Sequence, residues 1–144
     1  MNLFIKVNNV NSLPPRIEIQ EVMWEQANNI SHAFDLKEFS SLMLSWNKWL
    51  DDNRWEKSNK SIEHINFEII KENEVVVDIA DDALFVDKRA FYRAVLFICE
   101  KTNGKISIDE LVWHHPNEFR LNVKSYLDSS FNEAVERSLQ ELSS

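Results

Sequence analysis

Residues 62–80 read IEHINFEIIKENEVVVDIA and contain two strand-like runs separated by a short polar segment. In the first run, Ile65, Phe67 and Ile69 alternate with polar residues, which is typical of a strand with one buried face. The second run, EVVVDIA, is rich in the β-branched residues that favour strands. This stretch predicts a half-buried antiparallel hairpin, around which the rest of the chain can be arranged.

The chain after the hairpin is predicted to be mainly helical. Asp87 is a suitable N-cap for a helix over residues 88–103, and Gly104 stands where a left-handed residue commonly closes a helix. The next residues, KISID, are strand-like. Two further helical patterns follow, at residues 119–127 and 130–142.

The chain before the hairpin is predicted to begin with two strands. Residues 3–7 and 16–20 are rich in β-forming residues, and Pro14 and Pro15 disfavour a helix between them. Residues 21–30 fit a continuation of the second strand or a short helix equally well.

The segment next to the hairpin has a helical pattern. Asp35 is a suitable N-cap for an amphipathic helix over residues 36–52, where apolar residues recur at three- and four-residue spacing. The polar residues 53–61 are predicted to form an exposed connection to the hairpin.

Length and composition set the fold class. A chain of 144 residues has the size of a single domain, and a hydrophobic content of 44 % is enough for one core. No repeat or linker divides the chain. We therefore predict one α+β domain over residues 1–144, with a small antiparallel or mixed sheet packed with about four helices.

The composition also excludes several classes of function. Gly104 is the only glycine, which excludes a glycine-rich phosphate-binding loop. Cys99 is the only cysteine, and the sequence shows neither a signal-peptide pattern nor an apolar run long enough for a membrane span. We therefore expect a cytoplasmic protein that uses no cofactor and has no membrane partner.

Acidic residues dominate the charge of the chain, which has a formal net charge of −8. Residues 63–87 contain eight acids against Lys71 alone, a net charge of −7 for that segment. Phosphate binding needs clustered lysine and arginine, so nucleic acid is not an expected partner. A protein with a basic surface is the electrostatic complement.

One group of ionisable residues supplies the nitrogen and oxygen ligands that zinc or manganese uses. The group consists of Asp109, Glu110, His114, His115 and Glu118. Pro116 removes the helical i, i+4 presentation of such ligands, which favours a solvated or capping loop and keeps a metal site as the alternative. We assign no catalytic residue and no metal ligand.

Other residues also allow more than one interpretation. The three aspartates Asp78, Asp81 and Asp82 suit a solvated turn, a partner-facing surface or a magnesium ion. Cys99 shares a helical face with apolar residues, which favours a core thiol. Because tryptophan is enriched at binding hot spots, Trp55 and Trp113 are candidate anchors.

Residues 74–113 carry a resemblance to a known class of proteins. They place in succession a strand (EVVVDIA), an acidic turn (DD), a helix (KRAFYRAVLFICEKTN), Gly104, a strand (KISID) and the sequence DELVW. This order resembles a pattern in small immunity proteins that bacteria make against polymorphic or contact-dependent toxins. The resemblance implies a non-enzymatic inhibitor that binds one cognate toxin domain in the cytoplasm and blocks its activity.

The leading hypothesis is a toxin-neutralising immunity protein that binds a basic, nuclease-type toxin domain through its acidic surface. The alternatives are a phage or mobile-element inhibitor that mimics nucleic acid with the same carboxylates, and a metal-dependent enzyme. The predicted partner-binding residues are Glu68, Glu72, Glu74, Asp78, Asp81, Asp82, Trp55 and Trp113.

Overall fold

The computed structural model describes residues 1–55 and 59–143 and contains a six-stranded sheet in which every neighbouring pair is antiparallel. The strands are β1 (Asn2–Lys6), β2 (Ile30–Asp35), β3 (Ser41–Trp46), β4 (His64–Lys71), β5 (Glu74–Asp78) and β6 (Lys105–Ser107). Their order across the sheet is β2-β3-β4-β5-β1-β6, so β1 lies between two strands that come much later in the chain.

The helices pack on one face of this sheet. They are α1 (Arg16–Met23), α2 (Leu36–Phe39), α3 (Lys48–Asp51), α4 (Phe85–Lys101), α5 (Pro116–Asn122), α6 (Lys124–Leu127) and α7 (Phe131–Ser143), with 3₁₀ turns at Val10–Ser12 and Asn53–Trp55. Helix α4 packs on β1, β5 and β6, and α1, α5, α6 and α7 pack against α4. The four longest helices are α1, α4, α5 and α7, with 8, 17, 7 and 13 residues. The predicted α+β fold with about four helices is therefore confirmed. Among the described helices, none has the length and apolar character that crossing a membrane requires.

The predicted hairpin is confirmed as β4 and β5, which pair with Phe67 directly opposite Val77. Val77 is in turn opposite Leu3 of β1, and Phe67 is opposite Leu42 of β3. Residues directly opposite in an antiparallel sheet point to the same side, and all four of these side chains are buried. They form the inner face of the sheet, which is the face that the helices cover.

The predicted helix over residues 36–52 is wrong, because this segment is divided into α2, β3 and α3. Asp35 does act as an N-cap, since its carboxylate accepts a hydrogen bond from the Lys37 backbone N–H at 2.9 Å. The helix ends after one turn at Ser40, whose φ of 58° is left-handed.

The apolar residues of this segment fit a strand as well as a helix. Leu42, Leu44 and Trp46 alternate with Met43 and Ser45, and all three lie buried on the inner face. The same segment also shows the three- and four-residue spacing of a helix, so periodicity alone does not separate the two structures. Backbone pairing with β2 and β4 selects the strand.

The predicted strand at residues 16–20 is also wrong, because these residues begin α1. Pro15 occupies the N-cap position, where a proline is tolerated because the first N–H groups of a helix have no partner within it. Ile19 and Met23 are four residues apart and both face the core. Residues 21–30, for which both structures were open, contain the end of α1 and the turn that leads into β2.

Helix α4 begins at Phe85, earlier than predicted, and Asp87 is not its cap. Leu84 occupies the N-cap position without a side-chain hydrogen bond, while Asp87 is buried within the first turn. The helical pattern at residues 119–127 is divided between α5 and α6.

At the end of α4 the left-handed residue is Asn103 and not the predicted Gly104. Asn103 has a φ of 50°, and the following Gly104 donates its N–H to the Cys99 carbonyl at 2.8 Å. Gly104 has a different role, because a Cβ atom at this position would lie 2.3 Å from the Lys6 carbonyl oxygen. A side chain here is excluded by the close approach of β1.

Candidate functional site: the open face of the sheet

The face of the sheet opposite the helices is open to solvent at β4 and β5, where His64, Asn66, Glu68 and Asp78 are exposed, whereas Ser45 on β3 is buried. Its side chains stand in rows across the strands, because opposite residues point to the same side. We call this surface the open face. Its residues are Ser31, Ala33, Met43, Ser45, His64, Asn66, Glu68, Val76, Asp78, Asn2 and Phe4.

Two predicted partner-binding acids, Glu68 and Asp78, lie exposed on the open face in neighbouring rows. Glu68 is opposite Val76, and Asp78 is flanked by Asn66 and Asn2. The Asn2 amide, in the orientation that satisfies its hydrogen bonds, donates to Asp78 Oδ1 at 2.6 Å. The half-buried apolar side chains around these acids are Phe4, Met43 and Val76.

Three other predicted acids are exposed at the two ends of the β4–β5 hairpin. Glu72 lies on the turn between the strands. Asp81 and Asp82 follow β5 at the opposite end, where the Met1 amino group lies 2.6 Å from Asp81 Oδ1 and Lys60 Nζ lies 3.1 Å from Asp82 Oδ2. These ion pairs lower the pKa of both aspartates. The acidic segment is therefore not one continuous surface.

Glu74 was predicted to contact a partner, and this is wrong, because its side chain is only 5 % exposed. It is covered by the segment Ser107–Trp113, which we call the 107–113 loop. Burial, with a hydrogen bond to the Glu110 carboxylate, raises the pKa of Glu74. Lys71 Nζ lies 2.9 Å from Glu110 Oε2 and 3.6 Å from Glu74 Oε2, and so fixes the loop to the hairpin.

The 107–113 loop crosses the open-face side of the sheet at β1 and β6. Ser107 is opposite Phe4 and is fully buried by the loop. A bridge between Ile106 and His114 closes the loop at its base. Trp113, a predicted anchor, is half-buried there with Lys6 Nζ 4.4 Å from its ring centroid, so one face of its ring is already occupied.

Trp55 was the other predicted anchor, and this is wrong, because its side chain is buried with 0 % exposure. Its ring meets Trp46 edge-on, with 6.3 Å between centroids. Residues 56–58 of the predicted exposed connection at 53–61 lie outside the described residues. Trp55 is part of the core, and its side chain is not accessible to a partner.

A buried ion pair lies beside Trp55, and sequence reasoning missed it. Lys48 Nζ is 2.8 Å from Asp87 Oδ2, and their side chains are 0 % and 1 % exposed. The Trp24 indole N–H donates to Asp87 Oδ1 at 3.2 Å. Burial raises the pKa of Asp87, while the Lys48 ammonium acts in the opposite direction. The pair joins α3 to α4 and removes one more acid of the 63–87 segment from the surface.

The group Asp109, Glu110, His114, His115 and Glu118, for which a metal site was the alternative interpretation, is dispersed over separate local contacts. Asp109 accepts hydrogen bonds from two backbone N–H groups of its own loop, and Glu110 binds Lys71. His114 Nδ1 lies 3.4 Å from Glu118 Oε2, whereas His115 Nδ1 accepts from the Asn117 N–H at 3.2 Å at the start of α5. Within residues 1–55 and 59–143, no three His, Cys, Asp or Glu side chains are placed to hold a metal ion.

Cys99 and His115 both line a pocket of about 300 Å³. The thiol is fully buried, as predicted, and burial raises its pKa to about 12. A thiol that stays protonated at neutral pH is a poor nucleophile.

Cys99 is therefore expected to be inert in the folded protein. When the native protein is treated with a thiol-reactive disulfide reagent at pH 8, the absorbance of the released chromophore should be less than about a tenth of the value for one equivalent of thiol. The same reagent in denaturant should release one full equivalent, which is the internal control. Rapid reaction of the native protein would show that the thiol is accessible.

Comparisons of the chain with protein-family models, with curated proteins and with solved structures found no match.

Proposed function

We propose that this protein is an inhibitor that binds a basic surface of one protein partner, as an immunity protein does with its toxin domain. The observation that carries the proposal is the pair of exposed carboxylates, Glu68 and Asp78, in neighbouring rows of the open face. Such an inhibitor would act in the cytoplasm, which agrees with its single reduced cysteine, Cys99.

The geometry suits binding because the carboxylates are held on paired strands. Strand pairing on both sides of β4 and β5 fixes the backbone under Glu68 and Asp78, so little backbone entropy is lost on association. The half-buried Phe4, Met43 and Val76 add apolar area to the same surface. Opposite charge on a partner would accelerate encounter, and the apolar area would slow dissociation.

The open-face carboxylates can be tested by neutralising them together. We expect Glu68→Gln with Asp78→Asn to slow association with the partner about threefold to tenfold at low salt, and to make association less sensitive to salt. The matched control is Glu18→Gln with Glu21→Gln on α1, which changes the net charge equally on the helical side. The measurement is stopped-flow association with a purified candidate toxin domain, which would be sought in the reading frames adjacent to the gene of this protein.

Co-expression tests the proposal in cells. A cell that produces this protein should survive the toxin domain encoded beside it, and a cell that produces an empty vector should not. Survival without this protein, or death in its presence together with no binding in vitro, would contradict an inhibitory function.

A further inference from the structure

The 107–113 loop exposes three large aliphatic side chains to solvent. Leu111 is 83 % exposed, Ile108 is 66 % exposed and Val112 is 56 % exposed. Single exposed aliphatic residues are common on protein surfaces, whereas several close together on one short loop favour an interaction site. These three residues form what we call the aliphatic tip.

Hydrogen bonds hold the aliphatic tip in one conformation. The Ser107 hydroxyl oxygen accepts from the Glu110 N–H at 2.9 Å and the hydroxyl donates to Asp109 Oδ1 at 3.1 Å. Asp109 Oδ1 also accepts from the N–H groups of Leu111 and Val112, at 2.9 and 3.1 Å. A loop fixed in this way loses little entropy when its side chains enter a pocket.

The backbone at Glu110 supports the same interpretation. Its φ of 66° is left-handed, a conformation that is unfavourable for a residue with a Cβ. The ion pair between Glu110 and Lys71 holds the residue there. Leu111, the residue that follows this left-handed turn, is 83 % exposed.

The aliphatic tip lies beside the open face, in a loop that contains Asp109 and Glu110 and that also contacts Lys6 and Lys71. The loop starts at Ser107, in the same row as Phe4, Val76 and Glu68, so one partner surface can reach both regions. The N–H groups of Val112 and Leu111 lower the pKa of Asp109, which keeps a negative charge directly at the tip. A partner that accepts Leu111 would therefore need an apolar pocket with a basic rim.

We propose that Leu111 is the apolar anchor of the inhibitor surface, and that it enters an apolar pocket with a basic rim on the partner while Glu68 and Asp78 face that rim. This rests on the proposed function and extends it, because it names the second half of the surface and the chemistry of the partner. Leu111 then has the anchoring role that the sequence suggested for Trp55, which is buried, and for Trp113, whose ring is contacted by Lys6.

The test compares two leucines of similar exposure. Leu111→Ser should weaken binding of the neighbouring toxin domain about tenfold to hundredfold, mainly through faster dissociation, with the salt dependence unchanged. Leu121→Ser on α5, where the side chain is 73 % exposed on the helical side, is the matched control and should bind as the wild type does. Both variants should keep the wild-type unfolding midpoint, since neither side chain is in the core.

The outcomes separate the two proposals. If the wild type binds the toxin domain and Leu111→Ser binds equally well, the anchor is refuted while the inhibitor function stands. If the wild type does not bind, the proposed function fails and the anchor fails with it. If Leu111→Ser instead abolishes association of this protein with itself in analytical ultracentrifugation and leaves toxin binding intact, the tip serves a second copy and the anchor is refuted.

Discussion

Replacing Lys48 with methionine is expected to lower the free energy of unfolding by about 3–5 kcal/mol. Methionine fills a similar volume, but it leaves the Asp87 carboxylate buried without the ammonium that lies 2.8 Å from it. The Trp24 indole N–H is then the remaining donor described at Asp87. Urea denaturation followed by tryptophan fluorescence measures the effect, with Lys37→Met at an exposed position of α2 as the control, expected within about 0.5 kcal/mol of wild type.

The same variant is expected to depend on pH in a defined direction. Burial raises the pKa of Asp87, and loss of Lys48 removes the cation that opposes this rise. An acid with a raised pKa in the folded state stabilises the fold below its unfolded pKa, near 4, and this contribution is lost as pH rises through the folded pKa. The deficit of Lys48→Met should therefore be smaller at pH 5 than at pH 8.

A double variant separates charge burial from packing. Lys48→Met with Asp87→Leu removes both charges and is expected to recover much of the stability lost in Lys48→Met, because an apolar pair needs no desolvation of ions. A double variant as unstable as the single one would mean that the loss came from packing and not from the unpaired carboxylate.

Replacing Gly104 with alanine is expected to cost at least about 2 kcal/mol of unfolding free energy. The added Cβ would lie 2.3 Å from the Lys6 carbonyl oxygen, which belongs to a strand paired on both sides and cannot easily move. The control is Asn103→Gly, one residue earlier, where φ is 50° and glycine should be neutral or slightly stabilising. Thermal and urea denaturation of both variants measure the difference, and a stable Gly104→Ala would show that β1 and the end of α4 can separate.

The fold could be predicted where local sequence and tertiary structure favour the same element. The alternation in residues 62–80 and the long apolar pattern after Asp87 specify β4, β5 and α4 without outside information. Residues 36–52 could not be predicted this way, since Leu42 and Trp46 fit both a helix and a strand and only the neighbouring strands decide. At residues 16–20 the β-forming residues suggested a strand, although Pro15 is equally suited to start a helix.

The candidate site was predicted in part. The alternation of residues 64–69 places Glu68 on the polar side of β4, and the structure shows both Glu68 and Asp78 exposed. Glu74 has the same outward direction, but a loop more than thirty residues later in the chain covers it, which no local pattern indicates. The burial of Lys48 with Asp87 depends likewise on a contact between distant segments.

The position of β1 has a consequence for how the chain reaches its native state. Asn2 pairs with Asp78, and Lys6 pairs with Lys105, so both neighbours of β1 leave the ribosome long after it does. Pairings so distant in the chain require large loops to close and slow the search for the native topology. During synthesis Leu3 and Ile5, which are buried in the fold, have no partner strand and stay exposed to solvent until β5 and β6 emerge.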